Sequence, residues 1–140
     1  MISEKQVTQT NERKVVLSSL WIFAMFNYLY ADFFSMIFNA TAIKDMAAEM
    51  TPGVVLAWAV FMETAMAMIF LSRVLKYRAN RWANIIVGLL HTASVAWTLS
   101  GGVPQPFYLS YYLFFAVIEM ACTLFIVWYA WRWKPPALAA

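Results

Sequence analysis

The chain carries little charge for its size. Asp, Glu, Lys and Arg make up 12% of its 140 residues, whereas a soluble domain usually carries about 25% of them. Hydrophobic residues make up 64%, and the mean hydropathy is +0.66. A water-soluble fold of this length has too little interior to bury so much apolar surface. The composition therefore predicts a single unit that lies in a membrane.

Cysteine and histidine each occur once, as Cys122 and His91. A single cysteine excludes an intramolecular disulfide, and one histidine gives no support for haem ligation or a Ser-His-Asp triad. No run carries the Glu-x-x-His or His-x-x-x-His spacing that metal sites inside helix bundles often use. We therefore expect neither a metal nor a cofactor. The net charge of +3 fits membrane orientation and contact with anionic lipid, not nucleic-acid binding.

Four long apolar runs account for most of the chain, at about 15–37, 53–75, 82–100 and 107–132. Each is close to the ~20 residues that a helix needs to cross ~30 Å of hydrocarbon. Thr51 and Pro52 suit the N-cap and the first position of the second helix. The segment GGVPQP (101–106) cannot continue a helix. The predicted fold is all-α, a polytopic membrane bundle of four helices.

Basic residues predict how the chain is threaded. They occur before the first run, between the second and third runs, and after the fourth run (Lys5, Arg13, Lys14; Arg73, Lys76, Arg78, Arg81; Arg132, Lys134). The positive-inside rule then places both termini in the cytoplasm. Residues 1–14 and 133–140 are expected to be cytoplasmic tails of a 15–132 transmembrane domain. The segment 39–50 has apolar residues at helical spacing, which predicts a short interfacial helix in the first outer loop.

Each run carries polar residues on one side. Counting ~1.5 Å per residue from the helix ends places four of them near the midplane: Asn27, Glu63, His91 and Glu119. The same count places Asp32 closer to the outer face. Ionisable groups at the midplane cost at least ~2.5–3.5 kcal/mol each, and two facing carboxylates repel unless one holds a proton. We therefore expect Glu63 and Glu119 to meet inside the bundle and to hold a proton, share His91 or bind a cation.

The candidate site for a ligand or for proton coupling combines these positions with two tyrosines on the same stripes (Glu63, Glu119, Asp32, His91, Asn27, Tyr28, Tyr112). Structural interpretations stay open beside this one. The two glutamic acids could join helices by hydrogen bonds, at about 0.6 kcal/mol each. His91 could satisfy a backbone carbonyl, and Asn27 could make a packing hydrogen bond.

The segment LSRVLKYRANRWANI (71–85) is the densest local motif. Its four basic residues lie beside Tyr77 and Trp82 (Arg73, Lys76, Arg78, Arg81). Cationic and aromatic side chains at a membrane boundary contact anionic lipid headgroups and anchor the helix ends. We expect this segment to do so; a dedicated site for another anionic ligand is the alternative.

Three segments resemble an uncharacterised family of small bacterial four-helix membrane proteins: LSSLWIFAMFNYLYAD, METAMAMIFLSRVLKYRANRWANIIVG and YYLFFAVIEMACTLFIVWYAW. The resemblance covers about residues 15–132. The positions that fit it are Asn27, Asp32, Glu63, Arg73, Asn80, Arg81, Trp82, Asn84, Glu119 and Trp131. His91 is not among them. The chain is also loosely similar to DoxX-type four-helix proteins. The resemblance implies a multi-pass protein of the bacterial inner membrane and implies no activity.

Three functions are compatible with these residues. The first is binding or transport of a small hydrophobic or cationic compound with proton coupling, for which a homodimer would provide enough helices. The second is an intramembrane acid/base enzyme, such as an isomerase or an oxidoreductase partner, acting on a lipid-like substrate. The third is an accessory subunit of a membrane complex. Paired acids at midplane depth favour the first function over catalysis, and an acid facing lipid would favour the third.

Overall fold

The computed structural model describes residues 4–100 and 109–135. Within them the chain forms five helices: α1 (Glu4–Phe38), α2 (Ala40–Glu49), α3 (Pro52–Val74), α4 (Tyr77–Ser100) and α5 (Leu109–Trp131). All of these except α2 are long and apolar enough to cross a membrane. The predicted all-α fold with four span-length helices is confirmed. The predicted turn at 101–106 and the end of the tail, 136–140, lie outside the described residues.

Local sequence signals explain where α2 and α3 begin and end. Thr51 is extended and its hydroxyl accepts a hydrogen bond from the Val54 amide at 3.4 Å, with Pro52 at the start of the helix. This confirms the predicted N-cap. Asn39 separates α1 from α2 with a non-helical backbone, so the expected short helix within 39–50 is present.

Two helices begin earlier than the apolar runs. α1 starts at Glu4 and α4 starts at Tyr77, whereas the predicted spans start at 15 and 82. Hydropathy marks the part of a helix that suits hydrocarbon, and a helix can extend into water beyond that part. Arg13 and Lys14 therefore belong to α1, and Arg78 and Arg81 belong to α4, whereas Lys76 lies between α3 and α4.

The four long helices pack in a ring. α1 packs against α3 and α5, α5 packs against α4, and α4 meets α3 over a shorter length. α1 and α4 therefore lie on a diagonal of the bundle, and their side chains meet at its centre. α2 packs against α1.

The first part of α1, the α3–α4 connection and the segment after α5 meet at one end of the bundle. Lys14 Nζ donates to the Arg73 carbonyl at 3.3 Å, and the Tyr77 hydroxyl donates to the Trp133 carbonyl at 2.7 Å. Arg13 Nη1 donates to a carbonyl of α5 at 3.1 Å. We call this the basic end. The first part of α1 and the residues just after α5 therefore lie at the same end of the bundle.

The helices are packed more tightly near the basic end than at the opposite end. The buried residues of α3 are Ala65, Met68 and Ser72, all in its second half. Residues 52–60, in its first half, are all exposed. Among the described residues, α3 therefore leaves the half of the bundle opposite the basic end open. We call this the open half.

Candidate functional site

Glu119 lies inside the bundle, near the middle of α5. Its side chain is 7% exposed. The Glu119 backbone carbonyl accepts a hydrogen bond from the Thr123 hydroxyl at 2.9 Å, but no described side chain makes a hydrogen bond with the Glu119 carboxyl group. Its carboxyl oxygens are not among the fully buried, unpartnered atoms of the described residues, but a mostly buried carboxyl group that makes no described hydrogen bond is costly to ionise. The Glu119 carboxyl group is therefore the strongest candidate in the bundle for binding a proton or a ligand.

The charged neighbour of Glu119 is Asp32 of α1. The two carboxyl groups interact electrostatically, and both interact with Tyr112 of α5. Asp32 lies one helical turn beyond Tyr28 and is exposed, in the half of the bundle that α3 leaves open. No described lysine or arginine acts on either carboxyl group. Among the described residues, Asp32 is therefore the carboxyl group that acts electrostatically on Glu119, and we call these two residues the acid pair.

Glu63 does not belong to this pair, and the expectation that it meets Glu119 inside the bundle is wrong. Its side chain is exposed, whereas Ala65, two residues further on, is fully buried. Successive residues of a helix are about 100° apart, so Glu63 and Ala65 point to nearly opposite sides. The sequence pattern groups Glu63 with Ala59 and Ala67, but α3 packs through a different face.

His91 lies at the centre of the bundle and is fully buried. Its Nε2 is 3.0 Å from the Thr64 hydroxyl, and its Nδ1 is 3.1 Å from the Tyr28 hydroxyl. Thr64 donates its only hydroxyl hydrogen to the Phe61 carbonyl at 2.6 Å. Thr64 must then accept from Nε2–H, and in the neutral ring Nδ1 accepts from Tyr28. These contacts place the ring proton of His91 on Nε2 and make Nδ1 a hydrogen-bond acceptor.

Aromatic rings hold the imidazole in place. The Phe61 ring stacks on it with centroids 4.3 Å apart, and Trp21 meets it edge-on at 5.6 Å. His91 therefore joins α1, α3 and α4, and its hydrogen-bonding side-chain partners are Tyr28 and Thr64, not Glu119. The expectation that the two glutamic acids share His91 does not match this arrangement.

The remaining predicted residues divide between the site and the packing around it. Tyr112 is half-buried and interacts electrostatically with both acids. Asn27 is buried, and its amide group donates to the Phe23 carbonyl of its own helix at 3.0 Å. Tyr28 and Tyr112 thus accompany the acid pair, whereas Asn27 satisfies its hydrogen bonding within α1.

A second buried polar cluster lies closer to the basic end. Asn84 Oδ1 accepts from Trp21 Nε1 at 2.8 Å and from the Ser72 hydroxyl at 3.3 Å. The Asn84 amide donates to Asn80, whose own amide donates to the Ser72 carbonyl at 2.6 Å. The asparagine-rich NRWAN segment gave a signal for this cluster, but no sequence pattern identified Trp21 and Ser72 as its partners. With its amide groups satisfied, the cluster joins helices and offers little to a ligand.

The basic residues of the α3–α4 segment differ in their surroundings. Arg73, Lys76 and Arg78 are exposed. Arg81 is half-buried, with its guanidinium 5.4 Å from the centre of the Trp131 ring and a 3.2 Å hydrogen bond to the carbonyl of that residue. A polar cleft of about 260 Å³ lies at the same end and includes three further cations (Arg13, Arg132, Lys134). In the sequence these three residues indicate only how the chain is oriented.

The class defined by these features is an all-α bundle with four span-length helices, a buried glutamic acid and an exposed aspartic acid that acts on it. The chain belongs to DUF6326, a family of unknown function, whose profile matches residues 5–140. No curated protein and no solved structure matches the chain significantly. Among the described residues, no three His, Cys, Asp or Glu side chains are grouped as a metal site would need.

Proposed function

We propose that this protein binds a small hydrophobic or cationic compound at Asp32 and Glu119 and moves it across the membrane in exchange for protons. The observation that carries the proposal is the buried Glu119 carboxyl group, which has no hydrogen-bond partner among the described residues and has a second carboxyl group as its charged neighbour. Two acids without a basic partner attract either protons or a cation. A site that releases protons when it binds a cation couples the movement of the cation to the movement of protons.

The open half of the bundle supplies a route to this site. Residues 52–60, the first nine of α3, are all exposed, and Asp32 is exposed in the same half. Asp32 would meet a cation first, and Glu119 would hold it within the bundle. Tyr112 beside both acids would add a hydroxyl and an aromatic face, which suits a cation with apolar substituents.

The proposal includes the cellular setting expected from the sequence. The protein would cross the bacterial inner membrane four times with its basic end in the cytoplasm, and α2 would lie at the outer interface. Exposed Arg73, Lys76 and Arg78 at the basic end would contact anionic headgroups. A DoxX-like relationship stays a prediction.

Binding of a fluorescent hydrophobic cation, ethidium, to the purified protein in vesicles tests the function. Glu119→Gln and Asp32→Asn keep the size of each side chain and remove its charge. Because Glu119 is buried, removing its charge from the bound cation should weaken binding at least about tenfold, whereas the same change at exposed Asp32 should weaken it less. Protons should be released as the cation binds to the unmodified protein.

Glu49→Gln is the matched control, because Glu49 is an exposed carboxylate on α2, outside the acid pair. Its affinity for ethidium should equal that of the unmodified protein. Equal weakening by all three changes would indicate general attraction of cations to negative charge. Unchanged binding in Glu119→Gln would reject the acid pair as the site.

A second candidate function, an accessory subunit of a membrane complex, is favoured by the outward position of Glu63. An acid that faces away from its own bundle can secure a helix of another chain. Under that function Glu63→Leu would alter assembly with the other subunit and leave ethidium binding unchanged. An intramembrane acid/base enzyme stays a prediction, and the only histidine has both ring nitrogens engaged.

A further inference from the structure

Glu63 lies at the worst depth for an unpaired carboxyl group. It is the central residue of Pro52–Val74, eleven residues from each end, which is about 16 Å of helix in either direction. Long basic side chains can reach the membrane surface from inside the bilayer, but a glutamate side chain is too short to cover that distance. In a bilayer, Glu63 must therefore find its polar partner at its own depth.

Among residues 4–100 and 109–135, no hydrogen-bond partner reaches the Glu63 carboxyl group on its side of the bundle. The buried residues of α3, Ala65, Met68 and Ser72, lie on the opposite face of the helix, and Glu63 itself is exposed. A hydrocarbon environment supplies no hydrogen bonds. The partner has to come from another transmembrane helix.

A second copy of the chain meets this requirement without any further assumption. Two copies with the same membrane orientation are related by a twofold axis along the membrane normal, so each residue of α3 faces itself at equal depth. Two Glu63 side chains near the axis can share protons and donate a hydrogen bond to each other. The chemistry of Glu63 is thus self-complementary.

The residues around Glu63 allow such an approach. Ala59 and Ala67 lie one turn before and after it on the same face, and small side chains let two transmembrane helices come close enough for a buried polar pair to form. Of the four span-length helices, α3 has the smallest buried share, 11%. It therefore has the most surface left for another chain.

We propose that α3 is the dimer interface of this protein, with the two Glu63 side chains hydrogen-bonded to each other at the twofold axis. This interface lies on the opposite side of α3 from the acid pair of Asp32 and Glu119. It does not depend on the function proposed above.

Oxidative cross-linking of the full-length protein in vesicles tests the geometry. Cys122→Ala first removes the native cysteine, and single cysteines are then introduced by Ala59→Cys or Ala67→Cys on the Glu63 face. We expect both to give a disulfide-linked dimer. The matched control is Leu90→Cys, which lies on an exposed face of α4 and should give little cross-linked product.

The dimerisation constant tests the role of the carboxyl group. Glu63→Leu removes all hydrogen bonding, and we expect it to weaken dimerisation in vesicles about fivefold to thirtyfold. Glu63→Gln retains a donor and an acceptor and should preserve most of the affinity, which shows that the variant chain still folds. Glu119→Gln should leave dimerisation unchanged, so a failure of the transport proposal is separable from a failure of this one.

Three results would overturn the inference. The first is stronger cross-linking from Leu90→Cys than from the α3 positions. The second is equal dimerisation of Glu63→Leu and the unmodified protein. The third is cross-linking in native membranes to a protein of different mass in place of a second copy, which would assign the Glu63 face to a different subunit.

Discussion

Tyr28 of α1 and His91 of α4 are joined across the centre of the bundle, with 3.1 Å between the hydroxyl oxygen and Nδ1. The two helices lie on a diagonal and do not pack closely along their lengths. Side chains therefore fill the space between them, and the Thr64 contact extends the connection to α3. This chain of hydrogen bonds fixes how α1, α3 and α4 sit around the acid pair.

Tyr28→Phe tests this connection. The substitution removes the donor to His91 Nδ1 and leaves a fully buried acceptor without its partner. An unsatisfied buried group costs about 1–3 kcal/mol, and we expect the free energy of unfolding in detergent to fall by an amount in that range. The control is Tyr30→Phe on the same helix, because Tyr30 is 54% exposed. Equal stability of the two variants would contradict the assigned hydrogen bond.

The sequence predicted the course of the chain better than the positions of its side chains. The four spans, the Thr51 cap and the short helix at 40–49 all follow from local signals, namely apolar length, capping chemistry and periodicity. Periodicity also groups Glu63 with Ala59 and Ala67 correctly. Periodicity does not show whether a helix face packs against helices of the same chain or of another chain, since small and polar residues suit contact with any helix.

The sequence also did not reveal which acid lies near Glu119. Depth counting placed Glu119 near the midplane and Asp32 closer to the outer face, but proximity between helices depends on which pairs of helices are neighbours. α1 and α5 are neighbours in the ring, whereas α3 and α5 are not. Asp32 is thus brought to Glu119 and Glu63 is not. The Trp21–Asn84 hydrogen bond was equally unpredictable, because it crosses the diagonal.

A double-mutant cycle measures the contribution of Trp21 and Asn84. Trp21→Phe removes the indole donor, Asn84→Ala removes the acceptor, and the 2.8 Å bond between them is lost in either. Groups in one hydrogen-bond network show coupling energies of about 0.5–3 kcal/mol. We expect the double variant to be less destabilised than the sum of the single variants by an amount in that range. Additive effects on the free energy of unfolding would show that the bond contributes nothing.

Gly88 sets the distance between α4 and α5. A Cβ atom at this position would lie 2.7 Å from Val127 Cγ2 and 3.4 Å from the Thr123 carbonyl. Helix propensity favours alanine over glycine by about 1 kcal/mol, but overpacking typically costs about 1–3 kcal/mol. Because valine is rigid and its helix is packed, we expect Gly88→Ala to lower the free energy of unfolding.

Two further variants make the Gly88 test specific. Gly53→Ala places its Cβ in open space, so it should be neutral or stabilising. Val127→Ala should be less harmful in the Gly88→Ala background than in the unmodified protein, since it removes the obstructing methyl group. If Gly88→Ala proves as stable as Gly53→Ala, the close approach of α4 and α5 is not as described.

The orientation of the chain gives the last prediction. Arg78 in the basic end and Lys44 in α2 are both exposed, and the positive-inside rule places them on opposite sides of the membrane. In a Cys122→Ala background, a membrane-impermeant maleimide should label Lys44→Cys in intact cells and Arg78→Cys only after permeabilisation. Labelling of Arg78→Cys in intact cells would reverse the orientation and place the acid pair's open half toward the cytoplasm. Cys122 in the unmodified chain is the control: its sulfur is buried, 3.5 Å from the Leu20 carbonyl, and should stay unlabelled in both conditions.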